Sequence, residues 1–415
     1  MVHGEAWTLK ELFVYPNEYI YWTIQIVMYP FMTGLVAGAF VLSSLYHVFG
    51  IKRLKQIARF SLVFSFALLP VAMMPLLLHL QFPLRGIAVM MTPHFTSAIA
   101  AFGIVFTTYG MIVASELWFV YRRHFVETAL ALRQIPERSR LLQFRYMLFS
   151  ALTLGAWDIT EHAIEKDEKA VRLLAAAGIP VACFLHGYAG FIFGSVKANA
   201  LWMTPLMPVI FICSAVVSGI ALCILAYILT IEQRRRFPTL WRGADPGSTV
   251  QGGPADMEEV RIAVKYLVMF LVFAITLELL DLIFRGYTAV KSWDILRRVI
   301  YDRDFVSIFI LQYGLGNLVP LILLLLPRLT IRRTVAATLL VLVGVFMMRW
   351  NVVIGGQTFS SSFAGFMHYR LPVWPHSMET LKEGLFGALM VAATPFLLFW
   401  LLDKVMPVFG TNDSR

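Results

Sequence analysis

The chain has 415 residues, 59% of them hydrophobic and only 14% charged, with a mean hydropathy of +0.73. Water-soluble domains carry about 25% charged residues, so this composition excludes an ordinary soluble protein, as well as disordered, collagen-like and disulfide-scaffold classes. The net charge is +10; in so apolar a chain the excess marks cytoplasmic loops, which makes membrane lipid the expected environment and no nucleic acid an expected partner.

In chain order, the opening stretch MVHGEAWTLKELFVYPNEY has no basic segment followed by a cleavable apolar core, so the first apolar segment is expected to be retained. At about 20 apolar residues per crossing, nine segments read as membrane-spanning helices: 19–48, 60–80, 97–121, 173–193, 203–230, 266–284, 305–326, 334–353 and 385–405. A further stretch, 146–157, soon meets Asp158, Glu161 and the run EKDEK. It is too short to span and reads as an interfacial or loop helix. Nine spans with the N-terminus outside put 24 of the 35 Lys and Arg residues on the inner side and 11 on the outer. That division follows the positive-inside rule and leaves the C-terminus cytoplasmic. The expected fold is an all-α polytopic membrane protein of two helical bundles, 1–235 and 261–415, joined by a cytoplasmic linker at 236–260 with the turn-rich run GADPGSTVQGGPAD. The charges of 291–303 alternate in sign and predict an amphipathic helix on the outer surface.

Polar groups inside a bilayer are costly, which makes them the default functional candidates. In the first span, Tyr21, Gln25 and Tyr29 recur every four residues along the outer half, and Gly34 and Gly38 form a small-xxx-small pair. The second span ends in His79, and the next loop adds Arg85, Thr92 and His94. Glu116, near the inner end of the third span, is a candidate for proton uptake, although a snorkelling carboxylate would look the same. The fourth span, GIPVACFLHGYAGFIFG, carries His186 and Tyr188 in its outer third, where Gly187, Gly190 and Gly194 remove bulk. Either side chain can hydrogen-bond a carbonyl oxygen such as that of a quinone, and histidine can also move a proton. Two buried polar groups bonded to nearby backbone would leave the same trace. Because residues i and i+2 stand about 200° apart on a helix, only one of the two can face a ligand head-on. In the second half, Glu278 and Asp281 lie on the sixth span, Gln312 and Asn317 on the seventh, and Arg349 and Asn351 on the eighth. An Arg–carboxylate pair at that depth is either a charge-compensated helix contact or part of a proton path through Glu116, Glu278, Asp281 and Arg349.

The three cysteines, Cys183, Cys213 and Cys223, form no CxxC or CxxCH. Neither a covalently attached haem nor an iron–sulfur cluster is expected in this chain, and no metal site is predicted.

These residues carry a family resemblance. The passage HGYAGFIFGSVKAN with LWMTPLMPVIFICSAVVSGIAL, the first span YWTIQIVMYPFMTGLVAGAF and the eighth-span ending RWNVVIGGQ resemble the membrane subunits of the polysulfide reductase (NrfD) family. The likeness is to its longer members, related to uptake-hydrogenase and cytochrome-linked quinone reductase complexes, and it covers nearly the whole chain from about residue 19. It implies a haem-free, quinone-reactive subunit of the bacterial or archaeal cytoplasmic membrane, not a complete enzyme by itself. The resemblance implies that such a subunit binds menaquinone or ubiquinone at the outer face of its first helical bundle, here 1–235. It also implies that the subunit exchanges electrons between that quinone and a ferredoxin-like iron–sulfur subunit docked there, with proton movement as a further expected coupling. A further redox subunit, a molybdoenzyme, hydrogenase or multihaem cytochrome, completes the implied complex. By position, Tyr188 matches the tyrosine of the short fourth-span motif and His186 the histidine of the longer members. Gln25, Tyr29 and His79 join the expected quinone site by periodicity and depth alone. The outer loops at 85–94 and 359–375 are the expected docking surface for the iron–sulfur partner. A secondary transporter would call for repeat symmetry and a midplane site, and a b-type cytochrome would use His79 and His186 as axial ligands.

Overall fold

The computed structural model describes residues 20–92, 94, 96–97, 100–135, 139–196, 199, 201–241, 257–287, 296–358 and 367–409. Among the described residues there is no β-strand, and nine helices are long and apolar enough to cross a membrane. The protein is a multi-pass membrane protein whose spans match the nine expected. The first three expected spans are α1 (Ile24–His47), α2 with its short continuation α3 (Lys55–Ala72 and Met74–His79), and α4 (Ala100–Arg133). A non-spanning helix, α5 (Arg140–Leu152), precedes α6 (Glu161–Gly194), α7 (Met207–Arg236) and α8 (Met257–Tyr287). The last elements are α9 (Val306–Leu325), α10 (Ile331–Val353), the short α11 (Met378–Glu383) and α12 (Leu385–Asp403). Most of the expected linker (242–256) and part of the expected outer helix (291–295) lie outside the described residues.

Local chemistry sets several of the helix ends. Thr23, Thr160 and Thr330 each cap a helix start, their hydroxyls accepting from the N–H groups of Gln25, Ala163 and Arg333. The second span breaks at Met73, two residues before Pro75, which has no N–H to offer the helix ladder.

Buried α1 and α7 form the centre. α1 packs on α2, α6, α7 and α10, whereas α7 packs on α1, α6, α8 and α10; α12 closes against α2 and α1. Where α1 crosses α7, a Cβ on Gly38 or Gly219 would collide with the backbone of the other helix, so both backbones approach through glycine. Gly316 of α9 and Gly344 of α10 repeat the device.

α4 and α6 each have 34 residues, about 50 Å of helix against a hydrocarbon core of about 30 Å. Both run well past the apolar stretches read from sequence, and α5 lies alongside the far part of α4. Phe149 of α5 meets the rings of His124 and Phe125, and Trp118 donates to the Leu152 carbonyl at 2.8 Å. Arg122 bonds Asp167 of α6 at 2.7 Å and the carbonyls of Ala156 and Asp158. The stretch 146–157 is thus the end of α5 plus a turn carrying Leu154 and Gly155 at positive φ.

Candidate functional site

Antiparallel alternation places the start of α1 at the same face as the ends of α3, α6, α8 and α10 and the starts of α7, α9 and α12; this is the first face below. Some two turns below the end of α6, His186 is buried in the seam of α1, α7 and α10. Its ring stacks on Phe211 of α7, centroids 5.6 Å apart. Gly34 of α1 makes room for its edge, since a Cβ there would lie 3.0 Å from His186 Cε1. Arg349 of α10, also fully buried, lies with Nη2 2.9 Å from His186 Nε2 and 2.7 Å from the Ser214 hydroxyl. Its Cζ stands 3.7 Å from the centroid of the Phe211 ring. The remaining hydrogen bonds of Arg349 go to the Phe211 carbonyl and the Met348 sulfur. The guanidinium therefore rests on an aromatic face and neutral acceptors rather than on a carboxylate.

Arginine has donors only, so His186 Nε2 accepts and the ring proton sits on Nδ1. That nitrogen is buried with no partner among the described residues. A void of about 10 Å³ borders the ring, lined also by Ala37, Cys183 and Ala215. Tyr188 points to the other side of α6, half-buried between Phe184 and Phe191, as the 200° separation requires.

The other residues expected near His186 lie elsewhere. Tyr29 packs edge-on against Phe102 of α4, centroids 5.6 Å apart. Gln25 is nine residues before Gly34, about 13 Å along α1; it donates to the Lys382 carbonyl, and its own carbonyl oxygen has no partner among the described residues. His79 bonds Glu383 at 2.9 Å through Nδ1, and Glu383 also accepts from the Thr23 hydroxyl. The Tyr369 hydroxyl accepts from Ile24 N–H at 3.1 Å. Gln25 and His79 thus belong to a polar lash that ties α11 to the beginning of α1 and the end of α3. Burial pushes the Glu383 carboxyl up, but hydrogen bonds from His79 and Thr23 and the charges of His79 and Lys382 hold it below its ordinary value. Sequence reasoning missed Glu383 because METLKE reads as an unremarkable polar turn. Glu116 is buried midway along α4, and neither carboxyl oxygen has a partner among the described residues.

A larger cavity, about 120 Å³, lies among α7, α8, α9 and α10 toward the first face. Its walls are mostly apolar, and its polar side is a chain: Asn351 donates to Gln312 at 2.8 Å, and Gln312 to Glu278 at 2.9 Å. Asp281 takes Arg285 of its own helix at 2.9 Å and the Thr204 hydroxyl at 2.5 Å. The Arg349–carboxylate contact considered from sequence is therefore replaced by Arg349–His186 on one side and Asp281–Arg285 on the other. Met348 and Asn351 line this cavity, while Arg349 between them turns away to His186. Arg285 and Tyr313, also lining it, were not singled out from sequence; an arginine one turn after Asp281 was the available signal. No group of three or more His, Cys, Asp or Glu side chains that could hold a metal ion occurs among the described residues.

Of the loops expected to dock a partner, the first (85–94) begins within short helical turns, Pro83–Ile87 and Ala88–Met91, that expose Ile87 and Met91. In the second loop, 359–366 lies outside the described residues, and Trp374 is exposed.

Comparison with known proteins finds three relatives of note. The chain is 25% identical over 412 residues to a selenate reductase subunit of Mesobacillus selenatarsenatis, covering 96% of this chain and 88% of the relative. It is 29% identical to a putative dimethyl sulfoxide reductase membrane subunit of Halobacterium salinarum, over 77% of this chain and 65% of that protein. It is 24% identical to an Hdr-like menaquinol oxidoreductase integral membrane subunit of Archaeoglobus fulgidus, over 92% and 79%. The profile of the family described as "Polysulphide reductase, NrfD" matches residues 15–361. With that match spanning most of nine membrane helices, the chain belongs to the polysulphide reductase NrfD family.

Proposed function

We propose that the protein is the quinone-reactive membrane subunit of a respiratory oxidoreductase complex, passing electrons between a partner iron–sulfur subunit and menaquinone or ubiquinone. The first face is outside, the partner docks there, and a further redox subunit completes the electron path. The observation that carries the reading is the buried His186, one ring nitrogen fixed by Arg349 and the other a donor with no acceptor among the described residues. A buried donor left unpaired costs about 1–3 kcal/mol, and a carbonyl oxygen or a proton-carrying water satisfies it. When bound, a quinone supplies the two-electron, two-proton chemistry. The chain's part is to present donors, hold protons and exclude water. The relatives named as reductase subunits and as a menaquinol oxidoreductase subunit support the same class.

The test is the purified complex carrying His186→Ala or Tyr188→Phe. Loss of one hydrogen bond slows quinone-linked turnover by roughly two- to tenfold, and loss of a proton-transfer group by on the order of 100-fold. Assembly and reduction of the partner's clusters stay intact. Wild-type turnover in both variants would make α6 a helix of structure only.

A further inference from the structure

We propose that the junction of α8, α9 and α10, at the face opposite the first, is a binding site for a phospholipid carrying two phosphates, a cardiolipin. The proposal concerns this surface alone and stands apart from the quinone reading. Charge is the first argument. Basic residues at one end of the spans are ordinary in a membrane protein, and many of those at this face are matched within the chain. Arg53 bonds Glu258 and Arg123 bonds Glu127, each at 2.7 Å, while Arg235 and Arg236 share Glu232. Arg261 and Lys265 of α8, with Arg328 and Arg332 at the turn into α10, have no carboxylate partner among the described residues, and all four are exposed. The acidic residues at the beginning of α8 turn elsewhere, Glu258 to Arg53 and Glu259 to the N–H groups of Gln56 and Ile57.

Placement is the second argument. α8 packs on Val319–Leu325, the last part of α9. Arg333 donates to the carbonyls of Leu326 and Pro327 at 2.7 and 3.0 Å, which folds the turn into α10 against the end of α9. Two pairs of cations therefore flank one seam, Arg261 and Lys265 on one side, Arg328 and Arg332 on the other. Toward the bilayer the same seam is bordered by exposed apolar side chains: Met269 and Phe273 of α8, Ile322 and Leu325 of α9. Cations above apolar surface fit an anionic headgroup with its acyl chains below. Two pairs on two sides fit two phosphates joined by a short bridge, whereas a lipid with one phosphate leaves a pair unmatched.

The backbone supplies the third. Arg328 sits at φ 58, in the left-handed region where a side chain is costly and glycine is usual. The strained position carries an exposed arginine that the packing of the chain does not use. The beginning of α10, the positive end of its dipole, opens on the same place.

The experiment places the native complex in phosphatidylcholine vesicles with a trace of photoactivatable cardiolipin and maps the labelled peptides by mass spectrometry. Label is expected on the beginning of α8 and on 322–333, displaced by unlabelled cardiolipin and much less by phosphatidylglycerol. Arg261→Gln with Lys265→Gln, or Arg328→Gln with Arg332→Gln, lowers it by about 25-fold, at about fivefold per charge. Arg328→Lys with Arg332→Lys retains the label, and so does the carboxylate-paired control Arg123→Gln. Label spread evenly around this face, or unchanged in both glutamine pairs, overturns the site. Equal displacement by phosphatidylglycerol overturns the two-phosphate ligand. A photo-crosslinker at position 265 that captures a protein in native membranes, rather than lipid, overturns the lipid as occupant.

Discussion

A guanidinium sealed among membrane helices is normally matched by a carboxylate, because an isolated buried charge costs several kcal/mol. Arg349 is stabilised otherwise, by the face of Phe211, the Ser214 hydroxyl and the His186 ring. Desolvated cation–π contacts contribute about 2 kcal/mol or more, and the flat, delocalised guanidinium suits such a site where lysine does not. At the first face the lash around Glu383 uses ordinary ion-pair chemistry in a half-buried place. Its carboxyl is held below its ordinary value, so it contributes stability above roughly pH 4.3, the ordinary glutamate value, and loses it as pH falls through the depressed value. Glu383→Gln is expected to cost about 1.5–3 kcal/mol at pH 7, with the gap narrowing as pH falls below the ordinary glutamate range. Thermal unfolding of the detergent-solubilised protein, followed by intrinsic fluorescence across a pH series from 7 downward, checks this; a gap that stays the same throughout would remove the carboxylate from the account.

Among the helices, the α1–α7 crossing is the contact with least tolerance, because backbone meets backbone at Gly38 and Gly219. Gly219→Ala forces these helices apart and should destabilise by about 1–3 kcal/mol. At Gly110 an added methyl meets only the end of the Leu69 side chain, so Gly110→Ala should be close to neutral. Comparing their thermal midpoints with the unaltered protein tests the crossing. The nine spans were legible because apolar runs of spanning length are hard to mistake. The true ends of α4 and α6 were not, since hydropathy stops at the membrane while Arg122, Asp167 and α5 carry the helices further. Gly34 and Gly38 announced a close approach, but not that His186 fills one and Gly219 the other. Nothing periodic joins His186 to Arg349, 163 residues away; only the fold brings them together.

Taken whole, the molecule sets a first face, with the Glu383 lash and the larger cavity near it, against a second face from which α4, α5 and α6 extend. The proposed orientation, which rests on the basic-residue division, puts the first face outward. Glu379 and Glu165 are exposed and sit near opposite faces. With an impermeant maleimide on intact cells, Glu379→Cys should label and Glu165→Cys should label only after lysis; the reverse would invert the molecule. The glycine crossing at the centre also has a consequence in time. Gly219 is made some 180 residues after Gly38, a delay of about 10–35 s at synthesis rates of roughly 5–20 residues per second. During that interval α1, which ends as one of the most enclosed helices, has only lipid or the insertion machinery against the face that α7 will cover. Nascent chains stopped before α7 should therefore leave α1 crosslinkable to its surroundings, and the protein's core is completed late, when the fifth span arrives.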